Sequence, residues 1–526
     1  MPRPKMKILF PLLVALLLFV LYSFVSIAGG SWFLNPEEHG DYVIARSIFE
    51  KGTPFVEQPL NDAFSQPPFV PPGTTYVAGK IVPVHSVFTH YLYAPSFVLG
   101  EQGPFFLVSL HGVAVVIAFF YFVKDRWGLA IGAATAMTFA LSFPMVYWSN
   151  MLFNNIPAFA YFMSGLLLMS RTSHGGASKK NWLLSLALLS VSFLLRYEFI
   201  VPAFLVALYF TYRRREERSK VALSVASFAV ALSAIAASNT PLYGGPLATG
   251  YTVGPWSWTP EAGPVQSLFE RTFRHLIEPN GSLILSNVYK HLIRLYFAPL
   301  PLILAGIAVS LRGESPDRPS LAIPFLLTTA LLGYFVLNAH FHAFDTERFG
   351  VSYTRLLLPV YMMLLFFMGS ILSHRRLRKT WSLVLVFLVL AGLVSSNLNY
   401  LVWGEFGLSD TMEEKRFWKS VDEIVGELPI SSVIMGNLVS KGVISRPTLN
   451  LDDYRIGNQT KQQFALEITM KLLDDGYRVF LMELPWHETY LDLSTLLPRI
   501  GLNLTVVEQV PLRRTLVYIY EVTEPG

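Results

Sequence analysis

Stretches of about 20 consecutive apolar residues, the length a helix needs to cross a bilayer core, recur along most of this sequence, and few water-soluble folds can bury so many. They lie near 8–28, 105–123, 128–148, 151–170, 182–195, 198–211, 221–239, 295–311, 321–339, 353–373 and 381–402. The expected fold is therefore a polytopic α-helical membrane protein with about 11 transmembrane helices. The spans flanking Arg196 are each shorter than the ~20 residues of a straight crossing, and they are read as two short helices rather than one long broken span. With 52% of residues hydrophobic and 15% charged, the chain lacks the charge a soluble surface of this size carries.

The net charge of +5 does not mark a nucleic-acid partner, because the basic residues gather in short connections between apolar runs. Arg3, Lys5 and Lys7, then Lys124 and Arg126, then Arg171, Lys179 and Lys180 fall on alternate connections. So do Arg213 to Lys220, Arg312 and Arg318, and Arg375 to Lys379. By the positive-inside rule these connections and the N-terminus are cytoplasmic. The opposite side receives loops near 29–104 and 240–294, a short one near 340–352, and the tail. Sequons at Asn280, Asn458 and Asn503 fall on that side too. Ser26-Ile27-Ala28 resembles a cleavage site, but the apolar stretch before it exceeds the ~7–15 residues of a signal peptide, so the first helix is expected to be retained. Cysteine is absent, which removes disulfides and thiolate metal sites from consideration.

Residues 1–403 thus read as a transmembrane domain. From Gly404 the apolar runs shorten and charges mix, and 404–526 reads as an extracytoplasmic soluble α/β domain. Helical periodicity covers Met412 to Val425 and Lys461 to Asp475. Strands are expected at Ser432 to Met435 and Val479 to Met482, and a closing hairpin pairs Leu504 to Val510 with Thr515 to Glu521.

The chemistry is expected in the first outer loop, at Asn35-Pro36-Glu37-Glu38-His39-Gly40-Asp41-Tyr42 and onward to Phe49. Pro36 suits a first helical position, and Glu38, Tyr42, Ala45 and Phe49 recur at helical spacing, which predicts a helix along the membrane surface. Glu37, Glu38 and Asp41 near its start can serve as a general base on an acceptor hydroxyl, or as oxygen ligands of a divalent metal cation. Acids at a helix N-terminus also stabilise the macrodipole without further function, by about 0.3–1 kcal/mol each.

Several stretches in order resemble one class. The acidic loop entering Tyr-x-x-Ala-Arg-Ser-Ile, then Gly79-Lys80-Ile81-Val82-Pro83-Val84-His85 leading to Ala94-Pro95, is similar to the GT-C glycosyltransferases that use polyprenyl-phosphate sugars. That class includes protein mannosyltransferases and the lipid A aminoarabinose transferase. Ser192 to Tyr197 resembles its short helix ending in Arg. Asn239 to Tyr251 resembles the Tyr-Gly-x-Pro-x-x-Thr-Gly-Tyr stretch of largely prokaryotic members, and Tyr353 to Pro359 its Arg-Tyr-Leu-Leu-Pro helix start. The likeness covers roughly 8–400. It implies transfer of a sugar, with inversion, from a dolichyl or undecaprenyl phosphate donor to a lipid, glycan or protein acceptor at the outer face of the membrane. Where the class has Asp-Glu this chain has Glu37-Glu38. Glu38 is the first candidate for the catalytic carboxylate and Asp41 the second.

The leaving phosphate calls for cations, and Arg196, Arg348 and Arg355 stand at outer helix ends, where an Arg lines a polar cavity or else snorkels to the interface. His85 and Tyr251 are candidates for the substrate cavity. His340 and His342 beside Asp345 are more cheaply explained as interfacial histidines, and Trp256 and Trp258 as interfacial anchors. A flippase or transporter of a lipid-linked substrate is the non-enzymatic alternative, although no two related halves with broken helices are evident. An oligosaccharyltransferase or polymer ligase is the second, although the tail has no Trp-Trp-Asp motif.

Overall fold

The computed structural model describes residues 4–30, 32–33, 36–64, 67–172, 179–253, 281–293, 299–311, 351–373, 384, 388, 391–392, 408–436, 439, 442–450, 461–483, 497–499, 501–512 and 515–524. Two units emerge. One comprises Met1–Phe24, Phe105–Ser238 and Val265–Ser409, and the other Val25–Pro104, Asn239–Pro264 and Asp410–Gly526.

The first unit is helical. Its long elements are most of α1 (Pro4–Gly29), α4 (Gly103–Trp127), α7 (Asn155–Thr172), α8 (Lys179–Leu195), α9 (Ile200–Arg213), α10 (Arg218–Tyr243), α12 (Leu300–Leu311) and α13 (Val351–Leu372). Four helical stretches, Leu12–Gly29, Gly103–Trp127, Arg218–Tyr243 and Thr354–Leu372, are long and apolar enough to cross a membrane. A bent pair, α5 (Leu129–Ala140) and α6 (Phe143–Ser149), turns by 63° and makes a fifth if it is one span. Pro144 lies in the first turn of α6, where its missing N–H leaves no hydrogen bond unmade. On α10 only 11% of the apolar window is buried, and Val225 and Val230 stand out at 67% and 69% exposure, the pattern of a lipid-facing helix. The chain breaks at Arg196 and a 3₁₀ turn, Tyr197–Phe199, into α8 and α9. The expected spans near 321–339 and 381–402 fall wholly or largely outside the described residues.

Small residues set the helix spacing in this unit. A Cβ on Gly306 would lie 1.9 Å from the Phe367 carbonyl oxygen, and Ser310 and Ser370 hydroxyls share a hydrogen bond of 2.9 Å one turn further on.

The second unit opens with α2 (Pro36–Lys51), continues with the hairpin β1 (Thr74–Val77) and β2 (Lys80–Pro83) and with α3 (Val87–Tyr93), and includes α11 (Gly250–Val253). Ala78 and Gly79 both have positive φ, at 48° and 82°, as a two-residue turn matching strand twist requires. The tail follows as α14 (Leu408–Glu427), β3 (Ser432–Gly436), β4 (Thr448–Asn450), α15 (Lys461–Asp474), β5 (Arg478–Glu483), β6 (Asn503–Leu512) and β7 (Thr515–Thr523). The sheet order is β4-β3-β5-β7-β6, with β3 parallel to β4 and β5 and the remaining pairs antiparallel. Its core of Val433, Met435, Ile468, Leu472, Val479 and Leu481 also takes in Phe69 from the proline-rich stretch of the first loop. Asn61 fixes that phenylalanine's backbone at both ends, accepting from its N–H at 2.8 Å and donating to its carbonyl at 3.2 Å.

Candidate active site

α2 begins at Pro36, and its first turns are largely enclosed, with Glu37 and Val43 only half-buried. Glu38, Asp41, Ile44 and Ala45 are fully buried, and His39 and Tyr42 nearly so, which a helix lying along a membrane surface with one wet face would not show. Two packing partners account for the difference. Gly40 sits so close to the loop that a Cβ there would lie 2.3 Å from the Pro72 carbonyl oxygen, and Gly73, at φ +79°, lies against the Glu37 backbone. Phe33 meets Tyr42 edge-on at 5.1 Å and stacks on His39 at 5.7 Å. Only toward the C-terminus does the helix emerge, where Phe49 is 46% exposed against Phe97.

Asp41 is the hub. Its Oδ1 accepts from His85 Nδ1 at 3.1 Å and from His90 Nε2 at 2.9 Å, while Oδ2 is buried with no hydrogen-bond partner among the described residues. Burial alone would raise this carboxyl's pKa; the charges and hydrogen bonds of His85 and His90 outweigh it and hold the group well below the usual carboxylate range. His90 Nδ1 lies 3.1 Å from the Ser86 carbonyl oxygen. His85 stands between two acids, since its Nε2 lies 3.9 Å from Glu37 Oε2. Of the three acids Glu37 alone keeps an open carboxylate, its side chain 29% exposed. Glu38 is fully buried, and its charge acts on Lys415 of α14, a lysine that is itself fully buried.

The segment from Asn239 to Val253 braces this arrangement. Tyr243 donates its hydroxyl proton to the Pro83 carbonyl at 2.7 Å, and a Cβ on Gly250 would lie 2.4 Å from Val84 Cα. The Tyr-Gly-x-Pro-x-x-Thr-Gly-Tyr stretch therefore bears on the two residues before His85. Sequence reasoning singled out Tyr251, whose side chain lies outside the described residues, and passed over Tyr243 and Gly250 as site-building groups.

In the helical unit, the segment linking α6 to α7 lies against two of the three candidate arginines, Arg196 and Arg355. Arg196, 6% exposed, donates to Asn154 Oδ1 and pairs with Glu198 at 3.0 Å, and its Nε is buried without a hydrogen-bond partner among the described residues. The Arg355 guanidinium lies 4.6 Å from the Phe153 ring centre and 5.6 Å from that of Trp148. Asn155 Nδ2 reaches the Arg355 carbonyl at 3.4 Å. Arg348 lies outside the described residues, as do His340, His342, Trp256 and Trp258.

Among the described residues no three His, Asp or Glu side chains are grouped to hold the divalent cation that the three neighbouring acids allowed; Asp41 is engaged by two imidazoles and Glu37 lies 3.9 Å from His85.

No family model matches the sequence, and no curated protein matches it significantly. Solved structures do match. The aminoarabinose transferase ArnT of Cupriavidus metallidurans, in its structure bound to undecaprenyl phosphate, superposes with a TM-score of 0.61 at 12% identity, over 99% of this chain and 98% of that one. Its apo structure gives 0.56 at 13% identity, with 98% of both chains covered. The apo oligosaccharyltransferase of Archaeoglobus fulgidus gives 0.52 at 11% identity, over 90% of this chain and 69% of that one. The fold is thus the GT-C fold of membrane glycosyltransferases.

Proposed function

We propose that the protein is an integral membrane glycosyltransferase that moves a sugar from a polyprenyl phosphate donor to a lipid, glycan or protein acceptor at the outer face of the membrane. The observation that carries this reading is Glu37, an accessible carboxylate beside an aspartate-clamped histidine, in a chain with the GT-C fold. The fold's relative ArnT is solved with undecaprenyl phosphate, and the Archaeoglobus enzyme with dolichol-phosphate and an inhibitory peptide, at a TM-score of 0.50 and 10% identity.

A base must reach its proton, so Glu37 is preferred over the buried Glu38 and Asp41 for that task. Its carboxylate takes the proton of the acceptor hydroxyl while that oxygen bonds to the anomeric carbon. The bond from that carbon to the phosphate oxygen breaks on the opposite face, and its electron pair leaves with the polyprenyl phosphate. Configuration inverts, and the leaving group needs no acid because it departs as an already ionised phosphate. Asp41 orients His85, which lies beside Glu37, and Glu38 secures the same helical turn. Arg196, with its spare Nε–H, and Arg355 are the proposed donors to the phosphate, and the same role is proposed for Arg348. Placement of α2 and the tail outside is supported by the alternation of basic connections.

In proteoliposomes given a labelled polyprenyl phosphate sugar, the wild type should form a glycosidic product. Glu37→Gln should lower turnover by roughly 10²–10⁴-fold while the folded yield holds. Normal turnover by Glu37→Gln would remove it as the base, and donor translocation without product would favour a flippase. Likeness to the archaeal oligosaccharyltransferase favours, as a second reading, transfer of a preassembled glycan; the mass added to the acceptor separates the two.

A further inference from the structure

Two side chains hold Arg196, and they are of different kinds. Asn154 is buried just before α7, and its backbone carbonyl accepts from the Ala158 N–H at 3.0 Å, which puts it at the cap position of that helix. An asparagine there ordinarily turns its side chain onto the N–H of the second or third helical residue. The third is Pro157, which has no N–H, and the amide is turned elsewhere. Its Oδ1 accepts from Arg196 Nη1, and its Nδ2 donates to the Leu195 carbonyl at 3.1 Å. One amide thus fixes both the guanidinium and the chain that carries it, where α8 has ended and Arg196 takes an extended conformation. The second partner is Glu198 in the following 3₁₀ turn, 3.0 Å from Arg196 Nη2, with its side chain 47% exposed against 6% for the arginine. An enclosed guanidinium needs an anion beside it, whereas a carboxylate half in water regains hydration when it lets go. Among the described residues these partners take two of the five guanidinium N–H groups and leave three, Nε–H among them.

We propose that the two partners divide the handling of the donor: Asn154 is a positioning residue that holds Arg196 in place with or without a ligand, and Glu198 is the counter-ion that the lipid phosphate displaces. The inference rests on Arg196 acting as a donor to that phosphate. Its signature is a pair of effects of opposite sign. Losing the neutral clamp lets a long side chain spread over its rotamers, which must be narrowed again on binding, so the phosphate is held less tightly. Losing the carboxylate removes a competitor for the same cation, so the phosphate is held more tightly.

The test measures binding of sugar-free undecaprenyl phosphate to the full-length protein in lipid nanodiscs, with melting curves on the same samples. Asn154→Ala should raise Kd about fivefold or more, and Glu198→Gln should lower it about threefold or more. In an Arg196→Met background Asn154→Ala should shift Kd no further, because the clamp acts through the arginine. An asparagine that only ties α7 to Leu195 would lower the melting temperature and leave Kd of the folded fraction unchanged, which overturns its positioning role. If Asn154→Ala gives too little folded protein, Asn154→Asp decides: it keeps the volume and the acceptor oxygen but pins Arg196 with a charge, so Kd should rise, and an unchanged or lower Kd overturns the proposal. Glu198→Gln binding no tighter than wild type overturns the displacement, as does a wild type that binds no undecaprenyl phosphate. Turnover in proteoliposomes separates the proposal from the transferase reading. Shifts of these signs in a protein that forms no glycosidic product sink the transferase and keep the proposal, and product formation by variants that all bind alike does the reverse.

Discussion

At Gly40 and Gly250 the site tolerates no side chain, and this follows from backbone contacts rather than from glycine's freedom in φ. Gly250→Ala would drive its methyl to 2.4 Å from Val84 Cα and 2.6 Å from the Pro83 carbonyl oxygen, neither of which can swing aside. Overpacking of this kind costs about 1–3 kcal/mol, and here the displacement falls next to His85. Gly250→Ala should therefore lower both melting temperature and transfer activity, whereas Gly281→Ala, with nothing within 4 Å of the new methyl, should leave both near wild type in the same assays. Asp41 makes a second residue-scale prediction. Its folded pKa lies below the ordinary 3.8, so its pairing with the histidines stabilises the fold above that value and is lost as pH falls from there toward the folded pKa. Melting curves between pH 3 and 5 should show the wild type losing stability on acidification more steeply than Asp41→Asn. The acids themselves were legible in the sequence, and so was their position at a helix start. Which one stays accessible was not, because that depends on His85, His90 and Lys415 arriving from other segments, and local periodicity carries no record of them.

At the scale of elements, hydrophobic length and period located the described long helices, the break at Arg196 and the tail's strands other than the three-residue β4, since each is a local property of consecutive residues. The amphipathic expectation for α2 failed for a complementary reason. Polar residues such as Glu38 and Asp41 look solvent-facing in a periodicity count, yet both are fully buried, Asp41 against two imidazoles that hydrogen-bond to it. The bend between α5 and α6 was hidden as well, because a continuous apolar run does not show a 63° turn. Sidedness can be measured directly on these elements. The chain has no native cysteine, so each introduced thiol is unique. Glu57→Cys and Glu427→Cys, both at exposed positions, should react in intact cells with a membrane-impermeant maleimide. Glu216→Cys, exposed in the basic connection between α9 and α10, should react only after permeabilisation. Reversed labelling would place the acidic helix in the cytoplasm.

For the molecule as a whole, the unit that carries the acids is discontinuous, drawn from 25–104, 239–264 and 410–526. Each segment contributes something the others lack: the first the carboxylates and histidines, the second the Tyr243 and Gly250 brace, the third a buried ammonium and a sheet core that receives Phe69. Fold class could be read from the sequence because apolar length is additive along a chain. Assembly of the site could not, because it joins residues hundreds of positions apart. That separation bears on how the protein is made. Ala28 and Arg416, which hydrogen-bond to each other, stand 388 positions apart, and at ~5–20 residues per second a ribosome needs roughly 20–80 s to get from one codon to the other. Throughout that interval the nascent first loop lacks its contacts with the C-terminal segment, so the arrangement around the acidic helix is complete only once residues 410 onward have been translated.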